Sequence, residues 1–174
     1  MVQHAFVQGY LDSLCGTYAI VNAEKIINKS NDEDSQKLFN EIIEYLSRKK
    51  ILKNAIINGM NHRLITRIMT DVVGDRIPYK TTNWRYYTLK EWWNACLQHL
   101  TEKENSGILL SVRGREDHIT FVKSMTERTI YLVDSGAWGG IKTIRRSSCK
   151  LYGSYFKEDK YLISATQTWF LSKE

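Results

Sequence analysis

The sequence predicts an α+β fold, and three observations carry that prediction. Up to Leu100 the apolar residues recur at helical spacing, and beyond Glu104 they gather in short β-branched runs separated by polar turns. The third observation is that no strand–helix–strand alternation joins the two parts. Helices first and strands second place an N-terminal helical half on a C-terminal antiparallel β-sheet, with no parallel nucleotide-binding sheet. The 174 residues contain no repeat, low-complexity stretch or linker, so residues 1–174 read as one domain.

Taken in order, Leu14, Tyr18, Val21, Ala23 and Ile26 form the stripe of a first helix that begins near Cys15, with Asp12 or Ser13 as its cap. Lys29 to Glu33 is a polar turn. Leu38, Phe39, Ile42, Ile43 and Leu46 mark a second helix that ends at Arg48-Lys49-Lys50. Asn58-Gly59 signals a turn before a third helix over 61–73, stopped by Gly74. Residues 76–82 are extended around Pro78, the single proline. Thr88 caps a fourth helix over 89–100, with Trp92, Trp93, Cys96 and Leu100 on its apolar side. Strands follow at 107–112, 118–123, 129–133, 141–144 and 161–170.

Bulk properties narrow the classes. Hydrophobic residues make up 43% and charged residues 25%, as in ordinary globular proteins, and no apolar run is long enough to span a membrane. Met1 to Cys15 carries no lysine or arginine, so it lacks the basic region of a secretory signal and a cytoplasmic location is expected. Export as an effector, by a route that reads no such signal, stays open. The three cysteines, Cys15, Cys96 and Cys149, are too few and too scattered for a disulfide framework. No CxxC or HxxxH spacing suggests zinc, and neither metal nor cofactor is expected. The net charge of +6 is spread along the chain, with local groups at Arg48-Lys49-Lys50 and Arg145-Arg146. That distribution reads as a solvated surface rather than a nucleic-acid groove.

The chemistry concentrates on three residues. Cys15 falls in the first turn of the first helix, where free N–H groups and the macrodipole favour a thiolate. Gly16 beside it lets a substrate approach the backbone. Of the four histidines, His99 falls on the polar side of the fourth helix, while His118 alone opens a strand, after the turn at 113–117. Asp134 ends the following strand. If the two strands pair through the turn at 126–128, its carboxylate lies near His118 and can fix the imidazole tautomer. Each residue also has an ordinary reading: a small buried hydrophobe, a structural histidine, and a turn aspartate before Ser135-Gly136.

Together, the order Cys15, His118, Asp134 resembles the papain-like cysteine peptidase superfamily. The phrase Gln8-Gly9-Tyr10-Leu11-Asp12-Ser13-Leu14-Cys15-Gly16 is similar to that superfamily's glutamine-before-cysteine motif, although Gln8 lies further from Cys15 than the family places its glutamine. Asp134-Ser135-Gly136-Ala137-Trp138-Gly139-Gly140 echoes its Asn-Ser-Trp-Gly segment. In size the chain resembles the leader-peptidase domains of bacteriocin exporters and the Josephin-type deubiquitinases, whose Ser-Leu-Cys step matches Ser13-Leu14-Cys15. The resemblance implies Cys15 as nucleophile, His118 as base and then acid, Asp134 as orienting group and Gln8 as oxyanion donor. It also implies Trp138 and Trp84 as aromatic cleft or shielding residues.

The expected activity is hydrolysis of a peptide or isopeptide bond in a protein or peptide substrate, through a thioester. The same residues also serve transglutaminase- or deamidase-type transfer. A non-catalytic binding module, drawing on the basic surface and Trp84-Arg85-Tyr86-Tyr87, is the alternative from another class. Cys96 and Cys149 read as structural.

Overall fold

The computed structural model describes residues 5–9, 12–81, 88–115, 117–136, 140–153 and 159–173. Helix α1 (Cys15–Asn28) is followed by α2 (Asp32–Arg48), α3 (Leu52–Asn58) and α4 (His62–Ile68), the last running into a π-helical turn at Met69–Val73. After the short strand β1 (Tyr79–Thr81) comes α5 (Leu89–Glu102). Then follow β2 (Ser106–Gly114), β3 (His118–Met125), β4 (Thr129–Val133), β5 (Thr143–Arg145), β6 (Cys149–Leu151) and β7 (Tyr161–Ser172). The fold is α+β, as the sequence pattern requires.

The strands form one sheet in the order β1-β7-β2-β3-β4-β5, with β6 beside β7. Every pairing is antiparallel except β6 with β7, which is parallel and departs from the wholly antiparallel expectation. The β3–β4 hairpin forms through the turn at 126–128, pairing Phe121 with Val133.

Alternation along the strands splits the core in two. Leu109, Ile119, Phe121, Trp169 and Leu171 face α1 to α4 and meet Ile20, Ile27, Ile42 and Ile65, these last four at most 1% exposed. Ile108, Leu110, Val122 and Phe170 face the other way, onto Trp92, Trp93 and Cys96 of α5. Each such buried aliphatic or aromatic side chain contributes about 1.5–3 kcal/mol. The helices therefore do not form one half packed on the sheet. They sandwich it, because α5 carries its own apolar face across to the opposite side.

Local chemistry fixes the helix ends. Thr88 caps α5 in a full capping box, its hydroxyl accepting from the Glu91 N–H at 3.2 Å while the Glu91 carboxylate accepts the Thr88 N–H at 2.7 Å. Asn31 and Asn61 cap α2 and α4 with a side-chain oxygen alone, accepting the Asp34 and Leu64 N–H groups. Neither Asp12 nor Ser13 caps α1. Asp12 instead accepts the Leu14 N–H at 3.0 Å, one residue ahead of the helix, and the start of α1 has no side-chain cap. Among the described residues no helix is long and apolar enough to cross a membrane.

Candidate active site

The segment before Cys15 is pinned from several sides. Buried Asn22 of α1 accepts the Phe6 N–H at 2.8 Å and donates to the Phe6 carbonyl at 3.1 Å, holding that residue much as a neighbouring strand would. The Gln8 N–H donates to the Ser135 carbonyl at 2.7 Å, and the Ser13 N–H to the Ile56 carbonyl of α3 at 2.9 Å. These contacts fix where α1 begins. Its first helical bond is from the Tyr18 N–H to the Leu14 carbonyl, at 3.1 Å. The N–H groups of Cys15, Gly16 and Thr17 thus have no acceptor within the helix, and they supply the positive end of its dipole.

His118 is the first residue of β3, paired with Val112 of β2. Its Nε2 is hydrogen-bonded to Asp134 Oδ1, and the Cys15 side chain stands close enough to the same ring to act on its titration. The Asp134 carboxylate is satisfied all round: Oδ1 also accepts the Gly136 N–H at 3.3 Å, and Oδ2 accepts the Ile141 N–H at 2.7 Å. A glycine at 140, with φ +52°, is what lets the chain come this close. A Cβ there would stand 2.9 Å from Asp134 Cβ, Cγ and Oδ2.

Burial and charge oppose each other in this pair. The side chains are 14% and 3% exposed for His118 and Asp134. Burial alone disfavours the imidazolium, but the hydrogen bond to Asp134, the interaction with Cys15 and the carboxylate charge override it and raise the His118 pKa to about 10. Burial likewise pushes the Asp134 carboxyl up. Its hydrogen bond to His118, the imidazolium charge and the two backbone N–H donors overcome that and hold it below its ordinary value. The pair rests as carboxylate and imidazolium.

Cys15 and His118 border a cleft of about 410 Å³ that is also walled by Asn58, His62, Ser111 and Gln167. Gln167 reaches it because the β2–β7 register shifts between Leu110 and Val112, leaving residues of β7 outside the ladder. Its Nε2 lies 3.4 Å from His62 Nδ1. Sequence reasoning missed this wall: a bulge in a long strand and a short helix leave no periodic signal, and the Asn58-Gly59 turn is the single hint.

Three expectations change. The Gln8 side-chain amide is hydrogen-bonded to the Asp12 carbonyl within its own loop, and Gln8 is not among the residues lining the cleft. Gly16 is buried rather than at the cleft surface. A Cβ there would meet Ile65 Cδ1 at 2.5 Å, so its smallness serves packing of α1 on α4. His99, expected on the polar side of its helix, instead packs edge-on against Phe170, with Nε2 2.9 Å from the Leu171 carbonyl. Trp138 and Trp84 lie outside the described residues.

Cys96 and Cys149 are buried free thiols, and burial raises the pKa of both, that of Cys149 to about 12. No group of three or more His, Cys, Asp and Glu side chains among the described residues is placed to hold a metal ion. No family model matches the chain, and comparisons with curated proteins and with solved structures found no significant similarity.

Proposed function

We propose that the chain is a papain-like cysteine hydrolase that cleaves an amide bond of a protein or peptide. The observation that carries this reading is the shared His118 ring, with Cys15 on one side and the buried Asp134 carboxylate on the other, at the edge of a cleft. A buried charged histidine between a thiol and a carboxylate is costly unless both partners stay in place, and such an arrangement generates a nucleophile.

In the reaction so proposed, the Cys15 proton resides on His118 and the thiolate attacks the amide carbonyl. Negative charge develops on the carbonyl oxygen and is met by the free N–H groups at the start of α1, since Gln8 is engaged elsewhere. The His118 imidazolium protonates the leaving amine as the C–N bond breaks. Neutral His118 then takes a proton from water, which attacks the thioester and releases the acid. Asp134 holds the ring throughout.

Alkylation by iodoacetamide followed by mass spectrometry tests this. Cys15 is expected to react alone in the folded protein, and His118→Ala to slow it. A Cys15 rate no faster than those of Cys96 and Cys149, or unchanged by His118→Ala, would overturn the proposal.

A further inference from the structure

The basic pair Arg145-Arg146 takes no part in the cleft. Arg145 ends β5 opposite Thr129 of β4, so the Arg128 turn lies at the same end of that ribbon. The Arg146 N–H donates to the Arg128 carbonyl at 2.8 Å, closing the two segments together. All three arginines border one cavity of about 700 Å³, completed by Ser147, Cys149 and Leu89 at the start of α5. It shares no residue with the cleft that holds Cys15. Lys160 adds a fourth positive charge beside it, its Nζ donating to the Ser147 carbonyl at 3.2 Å.

No acidic side chain among the described residues lines this cavity. Among the described residues, none of the three arginines is in a salt bridge. Glu91 is engaged in the capping box of α5, and Glu127 meets Arg146 through its backbone carbonyl, at 3.5 Å. Gathered like charges repel one another, and a bound anion removes that penalty. Arg146 is also held in place, its guanidinium 5.5 Å above the Trp93 ring. Fixed guanidinium forks suit phosphoryl oxygens, which they bind in pairs.

The form of the site selects among anions. Trp93 is fully buried beneath Arg146, and among the described residues no aromatic ring lines the cavity as a platform on which a base could stack. The charges converge on one cavity rather than following a stripe. We infer that this cavity binds a small, multiply charged phosphorylated anion. This assignment stands independently of the proposed hydrolase activity.

Calorimetric titration of the full chain with inorganic pyrophosphate tests it. Binding at one site is expected, weakening as salt rises toward physiological strength, where the screening length is about 8 Å. Arg128→Glu with Arg145→Glu is expected to weaken it at least tenfold. Lys37→Glu with Lys53→Glu, an equal change of net charge at exposed positions on α2 and α3, is expected to leave it within twofold. The milder Arg145→Lys, which keeps the charge and loses the fork, is expected to fall between and covers the case in which the double variant does not fold. No pyrophosphate binding by the unaltered chain, equal losses in the two double variants, or undiminished binding in the folded arginine variants would each overturn the inference. So would an oligothymidylate that displaces pyrophosphate and depends on the same arginines, since that result assigns the site to nucleic acid.

Discussion

On the α5 side of the sheet, Cys96 and Cys149 are packed among Trp92, Trp93, Ile108 and Tyr161, and burial makes both thiols harder to ionise. On the α1 side, Cys15 is half-buried and stands at an uncapped helix start, beside the His118 ring. The same side chain is thus placed in two opposite electrostatic settings within one small protein. The difference shows that a cysteine's chemistry follows from what surrounds it: Cys96 and Cys149 sit among packed apolar side chains, and Cys15 stands beside polar groups that can act on it.

Substitutions can break that contrast, beginning with the largest effect. His118→Ala should slow alkylation of Cys15 at pH 6.5 by about 10²–10³-fold, the range typical of losing a positioned acid–base group, while leaving Cys96 and Cys149 unchanged. An unchanged Cys15 rate in His118→Ala would show that exposure alone distinguishes Cys15. Trp92→Ala should do the reverse. Removing a fully buried indole whose Nε1 donates to Thr168 Oγ1 at 3.1 Å should cost about 3–5 kcal/mol in urea unfolding, with Cys15 reactivity retained in the folded protein.

Asp134→Asn is expected to act more moderately, slowing Cys15 alkylation about tenfold and lowering the His118 pKa from about 10 toward its ordinary 6.5. Titration of the ring protons by NMR checks the second part. The linkage has a definite sign. Because the folded His118 value is raised, its contribution to stability is full below 6.5 and is lost as pH rises toward 10. Asp134 is depressed, so its contribution is present above 3.8 and is lost as pH falls below that value. The stability gap between the natural chain and Asp134→Asn should therefore be widest between pH 3.8 and 6.5 and shrink on both sides. A gap independent of pH would show that Asp134 acts through its backbone hydrogen bonds alone.

The smallest effect is expected at Gln8. With its amide on the Asp12 carbonyl, Gln8→Ala should change a measured hydrolysis rate by less than about threefold. An oxyanion donor would cost on the order of 10²–10³-fold. A loss of that size would mean that Gln8 leaves Asp12 when substrate binds.

Much of the fold was legible because the signals are local. The apolar stripe from Leu14 to Ile26 marks α1, Thr88 and Glu91 mark the start of α5, and the β-branched run at Thr129–Val133 has the bounds the sequence suggests. Three elements were less legible. The seven residues of α3 offer only Leu52, Ala55 and Ile56 as an apolar face, and β6 is three residues long, too short for any period. The helix expected over 61–73 shifts at Ile68 into a π-helical turn, a change of hydrogen-bond register that side-chain spacing hardly registers.

For the site itself, the sequence by itself determined that Cys15 opens a helix, that His118 opens a strand and that Asp134 follows the next one, because each of these is a local relation between a residue and its own element. Only the tertiary structure decided that the three meet, since that depends on α1 packing against β3 and on the β3–β4 hairpin closing in its observed register. It likewise decided that α5 crosses to the far face, that Gln8 is held by its own loop and that Arg128, Arg145 and Arg146 share one cavity. Each of these is a contact between residues far apart in the chain or a choice among hydrogen-bond partners, and neither is encoded in a spacing that the sequence displays.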